Sequence, residues 1–168
     1  PFWREIYEDI KDLPKITMCT SLPKNWGIAC VGIHHFNLFT WLTNDKEIEL
    51  IDSNVKYVFE QKRAGFFDIS GRLLFSTKNG SSLYIDSSEN AGISSIQIIT
   101  DQKIYNYLEL QQQIVTVESG GSITVRPAKE KYISNYMTDV IKDIVMRKTC
   151  LLPDICQSHL AHKMLFEY

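Results

Sequence analysis

A glutamate and a lysine two residues apart, Glu60 and Lys62, could act together in cutting a phosphodiester. They end a predicted strand, in which alternate side chains point to the same face. The carboxylate would hold a divalent metal, and the lysine would neutralise charge on the phosphate or orient a water. The alternative is a solvated strand end with an ordinary Glu–Lys contact. The pair therefore indicates either a nuclease-type site or a surface ion pair.

A further carboxylate, Asp86, is a second candidate for the same site. It follows directly after the predicted strand Ser82–Ile85, within a stretch in which an apolar strand, a polar turn and another apolar strand succeed one another. With Glu60 it could hold Mg²⁺ or Mn²⁺. The alternative is a hairpin and nothing more.

The C-terminal tail carries residue types that bind zinc. Cysteine and histidine are the usual tetrahedral ligands of structural zinc, and on a helix residues three apart share a face. The alternative is two buried thiols and two surface histidines. The candidate ligands, spaced C-x5-C-x2-H-x2-H, are Cys150, Cys156, His159 and His162.

Basic residues beside tyrosines form a third group of candidates. Lys56 precedes Tyr57, Arg63 ends the Glu60–Arg63 run, and Lys103 precedes Tyr105 and Tyr107. Such residues could follow an RNA backbone and stack its bases. The alternative is a solvated face of a sheet.

Two adjacent histidines, His34 and His35, lie near Cys30 in a predicted strand. Neighbouring strand residues face opposite ways, so both imidazoles cannot serve one site. We expect one to be buried and the other exposed.

The elements that must position these residues are a helix, a run of short strands and further helices. Apolar spacing predicts a helix over Phe2–Leu13, ended by Pro14, and a second helical stretch between Pro127 and Pro153 with a short helix after it. Turn sequences separate the strands, which favours a largely antiparallel sheet and an α+β fold. The predicted strands are 28–34, 36–42, 47–51, 55–59, 71–76, 82–85, 93–100, 103–108, 114–118 and 122–125.

Composition predicts an ordinary globular chain. The 168 residues carry 18 basic and 20 acidic side chains, a net charge of −2, so no global charge indicates nucleic acid. Four cysteines, without a signal peptide or a membrane-spanning apolar run, indicate reduced thiols in the cytoplasm or nucleus. We expect one domain over residues 1–168, and the first residue, Pro1, suggests a fragment of a longer protein.

Two stretches resemble the Schlafen domain, also called the AlbA-like domain. The family shows E-F-K-R and later a segment like A-F-A-N-T-x-G-G-x-L-Y-I-G, where this chain has Glu60–Arg63 and then Phe75–Ile85. The run Ile123–Ala128 is similar to the family's late Y-x-V-R strand with a following Pro-Ala.

This resemblance implies a metal-dependent RNA endonuclease fold. Glu60 would match the motif glutamate and Asp86 the later aspartate, whereas the family's first glutamate falls on Val55; Asp52 or Glu49 could supply that acid in a shifted register. These departures fit a degenerate, non-catalytic partner in an RNA-processing assembly at least as well as an active endoribonuclease subunit. The missing third carboxylate favours joint action with another protein subunit, for which a related chain completing a composite site is one candidate.

A pleckstrin-homology-like or polo-box module is the alternative. The stretch Lys131–Val145 resembles the helix that closes a polo box, behind strands of suitable length. Such a module would bind a peptide or associate with itself. It predicts that Glu60 and Asp86 are scattered, whereas a nuclease predicts that they converge with Lys62.

Overall fold

Eight strands form one sheet in the computed structural model, which describes residues 2–23, 26–87, 92–128, 133–149 and 155–166. The strands lie in the order β2-β3-β4-β1-β5-β6-β7-β8, and every neighbouring pair is antiparallel except β1 and β4. The predicted α+β fold with a largely antiparallel sheet is confirmed. The strands are β1 Thr17–Ser21, β2 Ile48–Glu60, β3 Phe67–Thr77, β4 Ser82–Asp86, β5 Ser95–Ile99, β6 Lys103–Leu108, β7 Gln113–Glu118 and β8 Ile123–Pro127.

Helices flank the eight described strands, and one helix lies between two of the strands. The N-terminal helix and the two C-terminal helices agree with the predicted pattern, but the helix between β1 and β2 does not. No helix within the described ranges is long and apolar enough to cross a membrane. The helices are α1 Phe2–Ile10, α2 Ile33–Thr43 after a π-helical turn Ile28–Gly32, α3 Ile133–Lys142 before a π-helical turn Asp143–Arg147, and α4 Ile155–Phe166.

The segment 28–42 is helical, so the two strands predicted there are wrong. Its many β-branched and aromatic residues favoured strands. Its buried positions nevertheless recur three or four residues apart, as in Ile28, Gly32, Phe36, Phe39 and Leu42, which is the spacing of a helix face. A helix also suits the position, because β1 and β4 are parallel and need a long crossover between them.

One face of the sheet forms the core with α1 and α2. Alternate strand residues such as Met18, Leu83 and Ile98 are fully buried on this face. Phe36 of α2 meets Phe75 of β3 edge to face with ring centroids 5.3 Å apart. The strand β1 was not predicted, although Ile16, Met18, Thr20 and Leu22 alternate as buried residues.

Strands β2 and β3 continue as a two-stranded ribbon beyond the end of β4. The predicted strands 47–51 and 55–59 are one strand, β2, with irregular pairing after Leu50 and after Val55. It pairs with β3 as far as Glu60 opposite Phe67, whereas β4 pairs only with Arg72–Ser76. We call residues 55–60 and 67–71 the ribbon, and residues 61–66 the ribbon loop.

Candidate active site

One buried carboxylate, Asp68, joins the ribbon to the π-helical turn that precedes α2. Its Oδ1 accepts the backbone N–H of Ala29 at 2.8 Å, and its Oδ2 accepts that of Cys30 at 3.1 Å. The Oδ2 also accepts a hydrogen bond from the side-chain amide of Gln61 at 3.1 Å. The side chain is only 1% exposed, so these donors replace the water it has lost. Asp68 thereby fixes the helical turn against the ribbon.

The α2 segment presents a row of polar and aromatic side chains to solvent. Cys30, His34 and Trp41 are exposed, and Asn37 is partly exposed. They recur at three- and four-residue spacing, which places them along one side of the helix. Hydrogen bonding to Asp68 raises the pKa of the Cys30 thiol, with burial adding to the effect. The exposed row therefore offers an imidazole beside a protonated thiol and an amide.

His35 lies on the inner side of the same helix. It is 6% exposed, and its Nδ1 has no hydrogen-bond partner in the part of the chain that the structure describes. Burial, aided by the charge on neighbouring His34, lowers the pKa of His35 to about 4. The expectation of one buried and one exposed histidine is confirmed, although the pair lies on a helix rather than a strand.

The ribbon loop is an ordered turn with basic and aromatic side chains on its surface. Gln61 N–H donates to the Phe66 carbonyl at 2.7 Å, and Gly65 N–H donates to the Glu60 carboxylate at 2.8 Å. The loop exposes Lys62 and Arg63 to solvent. The Arg63 guanidinium lies over the Phe66 ring, 4.5 Å from its centroid.

The two predicted nuclease carboxylates, Glu60 and Asp86, do not converge. On β3 their paired residues are Phe67 and Arg72, which are about 17 Å apart along an extended strand. Asp86 instead pairs with Arg72, whose Nε lies 3.3 Å from its Oδ2. No group of three or more histidine, cysteine, aspartate or glutamate side chains within the described ranges could hold a metal. The prediction of a Mg²⁺ or Mn²⁺ site is therefore wrong.

The other predicted site residues lie apart from one another. Lys103 forms ion pairs with Asp9 at 3.4 Å and Glu118 at 3.8 Å, which joins β6 to α1 and β7. Lys56 is exposed on the ribbon, four residues before Glu60. Glu49 and Asp52, the two substitute acids, lie on β2 before the ribbon begins.

The predicted zinc ligands are not assembled within the described residues. Cys156, His159 and His162 are on α4, and the structure places none of them in a metal-binding group. His162 Nδ1 instead lies 2.7 Å from the Ser158 carbonyl, one helical turn earlier. Cys150 lies outside the described residues.

Sequence reasoning missed Asp68 and misplaced Cys30 and His34. Asp68 is a single aspartate ahead of an apolar strand, and no local pattern distinguishes it. A helical interpretation of the buried positions in 28–42 would have placed Cys30 and His34 on the opposite, solvent-facing side. Cys30 and His34, with Asn37 on the same side of the helix, could bind a polar ligand and exchange a proton with it.

Comparison with known proteins identifies the fold. No family model and no curated protein matches the chain. A dehydrogenase (MviM) from Clostridium difficile matches with a TM-score of 0.72 and 14% identity, over 99% of this chain and 57% of its own. UDP-N-acetylglucosamine 3-dehydrogenase GnnA from Acidithiobacillus ferrooxidans matches with a TM-score of 0.68 and 11% identity, over 96% and 55%. KijD10, a 3-ketoreductase from Actinomadura kijaniata in complex with NADP, matches with a TM-score of 0.64 and 12% identity, over 98% and 54%.

These matches correct the functional predictions made from sequence. The fold is that of part of several oxidoreductases, so the Schlafen resemblance and the RNA-processing nuclease it implied are wrong. The similar residues, Glu60–Arg63 and Phe75–Ile85, form a ribbon end and a hairpin in this different sheet. The peptide-binding alternative is also wrong, although Glu60 and Asp86 are scattered as it required. The chain spans little more than half the length of each matched structure.

Proposed function

We propose that this chain is the substrate-binding part of an NAD(P)-dependent oxidoreductase that interconverts a hydroxyl and a carbonyl group on a sugar. The observation that carries the proposal is the fold, shared over at least 96% of the chain with the dehydrogenases and the ketoreductase named above. Two of those proteins have names that refer to position 3 of a substrate. One is a 3-dehydrogenase of UDP-N-acetylglucosamine, and the other is a 3-ketoreductase whose structure is in complex with NADP.

The described residues do not fit a nicotinamide dinucleotide. Its usual site is a β-α-β unit with G-x-G-x-x-G after the first strand, in a parallel sheet. The sequence contains no such glycine pattern, and β1 and β4 are the one parallel pair among the described strands. The dinucleotide would therefore be held by residues other than these, and this chain would supply the surface for the sugar.

His34 is the residue best suited to exchange a proton with the substrate. Converting a hydroxyl to a carbonyl releases the hydroxyl proton, and imidazole is the side chain whose ordinary pKa suits that transfer near neutral pH. His34 is exposed, and its helix is held against the ribbon through Asp68. Asn37, less than one turn away, would donate to or accept from a second sugar hydroxyl.

The test is oxidation of UDP-linked and free sugars by the full-length protein, with NAD⁺ or NADP⁺ and absorbance of the reduced nicotinamide as the readout. We expect His34→Ala to lower kcat by about 10²–10⁴-fold, the usual contribution of an acid–base group. The matched control is His162→Ala, which removes another exposed histidine, on α4.

Measuring sugar binding as well as activity separates a wrong role for His34 from a wrong proposed function. Activity that survives His34→Ala with unchanged kcat would remove His34 from the reaction but keep the oxidoreductase. No reduction of either nucleotide, together with no binding of any sugar by calorimetry, would overturn the proposed function.

A further inference from the structure

The ribbon loop carries cations that no acidic group in the described part of the chain neutralises. Within the described residues, Lys62 and Arg63 form no ion pair, unlike Arg72, Lys103 and Arg126 on the sheet. The nearest carboxylate in sequence, Glu60, accepts the Gly65 N–H at 2.8 Å from within the turn. With Lys56 on the same ribbon, there are three exposed cations but one exposed carboxylate, Glu60, since the Asp68 carboxylate is buried and accepts N–H groups of the protein.

The packing of Arg63 leaves its hydrogen-bond donors available. A guanidinium stacked on a ring uses its flat face, so its N–H groups still point outward in the plane. The Arg63 guanidinium lies over the Phe66 ring, with its central carbon 4.5 Å from the ring centroid. A planar fork of N–H donors matches two oxygens of a phosphate, and a lysine beside it adds a point charge. The loop thus has the donors of a phosphate site, held in place by the aromatic contact.

Next to these cations lies a free aromatic surface. Phe67 is the first residue of β3 and is 64% exposed, and Phe66 is 53% exposed. Exposed phenylalanines are costly in water, and their rings are the usual platforms on which nucleic acid bases stack. Cations and rings on one short loop suit a ligand that joins a phosphate to an aromatic base.

Hydrogen bonds connect the ribbon loop to the proposed sugar site. Gln61, its first residue, donates to Asp68, and Asp68 accepts from the backbone of Cys30, one helical turn before His34. A ligand bound by the loop and by the exposed row on α2 would therefore span two surfaces that share a single buried carboxylate.

We infer that the ribbon loop, with Phe67, binds the nucleoside diphosphate group of a nucleotide-linked sugar. This inference rests on the proposed function, because it names the substrate class of the same site. Arg63 and Lys62 contact the phosphates, Phe67 stacks on the base, and the sugar extends toward His34. The base itself is read by stacking alone, which tolerates either uracil or adenine.

Calorimetry on the full-length protein tests the inference with UDP, ADP, UDP-N-acetylglucosamine, free N-acetylglucosamine and NADP⁺ as separate probes. We expect Arg63→Ala to weaken UDP binding about tenfold to a hundredfold, the loss of charge-assisted hydrogen bonds. Phe67→Ala should weaken it about fivefold to a hundredfold, the loss of one stacked base. The matched control is Arg4→Ala, which removes an exposed arginine from α1. Far-ultraviolet circular dichroism confirms that each variant is folded.

Three outcomes would overturn the inference. One is that free N-acetylglucosamine binds as tightly as its UDP derivative. Another is that Arg63→Ala and Phe67→Ala leave UDP and ADP binding unchanged. The third is that Arg63→Ala weakens NADP⁺ but not UDP, which would assign the loop to the cofactor. In each case oxidation of a free sugar that depends on His34 would leave the proposed function intact.

Discussion

Gly27 lies so close to Asp68 that a Cβ on Gly27 would be 1.8 Å from the Asp68 carboxyl carbon. Real atoms do not approach to that distance, so the carboxylate occupies the space that any other residue at position 27 would need. The same carboxylate accepts the N–H groups of Ala29 and Cys30. The absence of a side chain at Gly27 therefore makes room for the buried Asp68 carboxylate, and this carboxylate fixes where the π-helical turn before α2 begins.

Gly27→Ala should destabilise the protein by displacing Asp68 from these N–H groups. We expect a loss of about 2–4 kcal/mol in the free energy of unfolding, since buried donors lose a charged acceptor. The measurement is urea denaturation of wild type, Gly27→Ala, Asp68→Ala and the double variant. Because removing the carboxylate in Asp68→Ala leaves room for the new methyl group, the double variant should be about as stable as Asp68→Ala alone.

Gly92→Ala is the matched control for this cycle, because nothing lies within 4 Å of a Cβ built there. It should change stability by less than about 1 kcal/mol. Strict additivity of Gly27→Ala and Asp68→Ala would show that the two positions act separately.

Stability should fall with acidification because His35 is buried in its neutral form. The unfolded imidazole, with a pKa of 6.5, binds a proton before the folded one, whose pKa is about 4. The contribution is complete above pH 6.5 and decreases as pH falls toward 4. Between about pH 7.5 and about pH 5 it amounts to about 2 kcal/mol.

Urea denaturation at those two pH values isolates this contribution. His35→Phe keeps a ring in the core but cannot take up a proton, so its stability should depend less on pH by that amount. His162→Phe, at an exposed position on α4, should retain the wild-type dependence. Identical pH dependence in His35→Phe and wild type would contradict the buried neutral imidazole.

Strands bounded by turn residues could be predicted from sequence, whereas the helix at 28–43 could not. The bounds of β6, Lys103–Leu108, agree with prediction because polar turns flank an alternating apolar run. In α2 the composition of isoleucine, phenylalanine and threonine favoured a strand, and burial on the sheet overrode that preference. Local propensity decided correctly only where the tertiary environment agreed with it.

The candidate site depends on contacts that sequence order does not reveal. Asp68 is separated by 39 residues from Ala29 and by 38 from Cys30, and the ribbon that brings it there is built from two strands. The E-x-K pair, by contrast, was a local pattern, and Glu60 serves mainly to accept a hydrogen bond from Gly65. The short E-x-K motif predicted a type of chemistry, but it carried no information on the long-range packing that assembles a site.

Tyr105→Phe should loosen the contact between α1 and the sheet. The buried Tyr105 hydroxyl donates to Asp9 Oδ2 at 2.7 Å, and this bond is the main reason that the pKa of Asp9 is lowered. We expect a loss of about 1–2 kcal/mol in the free energy of unfolding at neutral pH. Because the lowered pKa belongs to the folded state, this difference should shrink as pH falls below 3.8.

The free energy of unfolding, measured by thermal or urea denaturation at several pH values, tests the contribution of this Tyr105–Asp9 hydrogen bond. Tyr7→Phe is the matched control, since Tyr7 lies on the same helix and contacts Trp41 through its ring, with centroids 4.8 Å apart. It should leave stability nearly unchanged. A Tyr105→Phe protein as stable as wild type at neutral pH would show that the hydroxyl contributes nothing.

Cys30 should react slowly with alkylating reagents although it is exposed, and Asp68 should be the cause. The thiolate is the reactive form, and the hydrogen bond to the Asp68 carboxylate raises the pKa of the thiol. Asp68→Asn removes the negative charge and keeps an oxygen that accepts N–H groups, so Cys30 should be alkylated several-fold faster in this variant. The measurement is the rate of iodoacetamide modification at mildly alkaline pH, followed by peptide mass spectrometry. Cys156, exposed on α4, serves as the internal standard and should react equally in both proteins. If Cys30 and Cys156 both accelerated, general loosening of the fold would explain the result, and the specific effect of the carboxylate would be refuted.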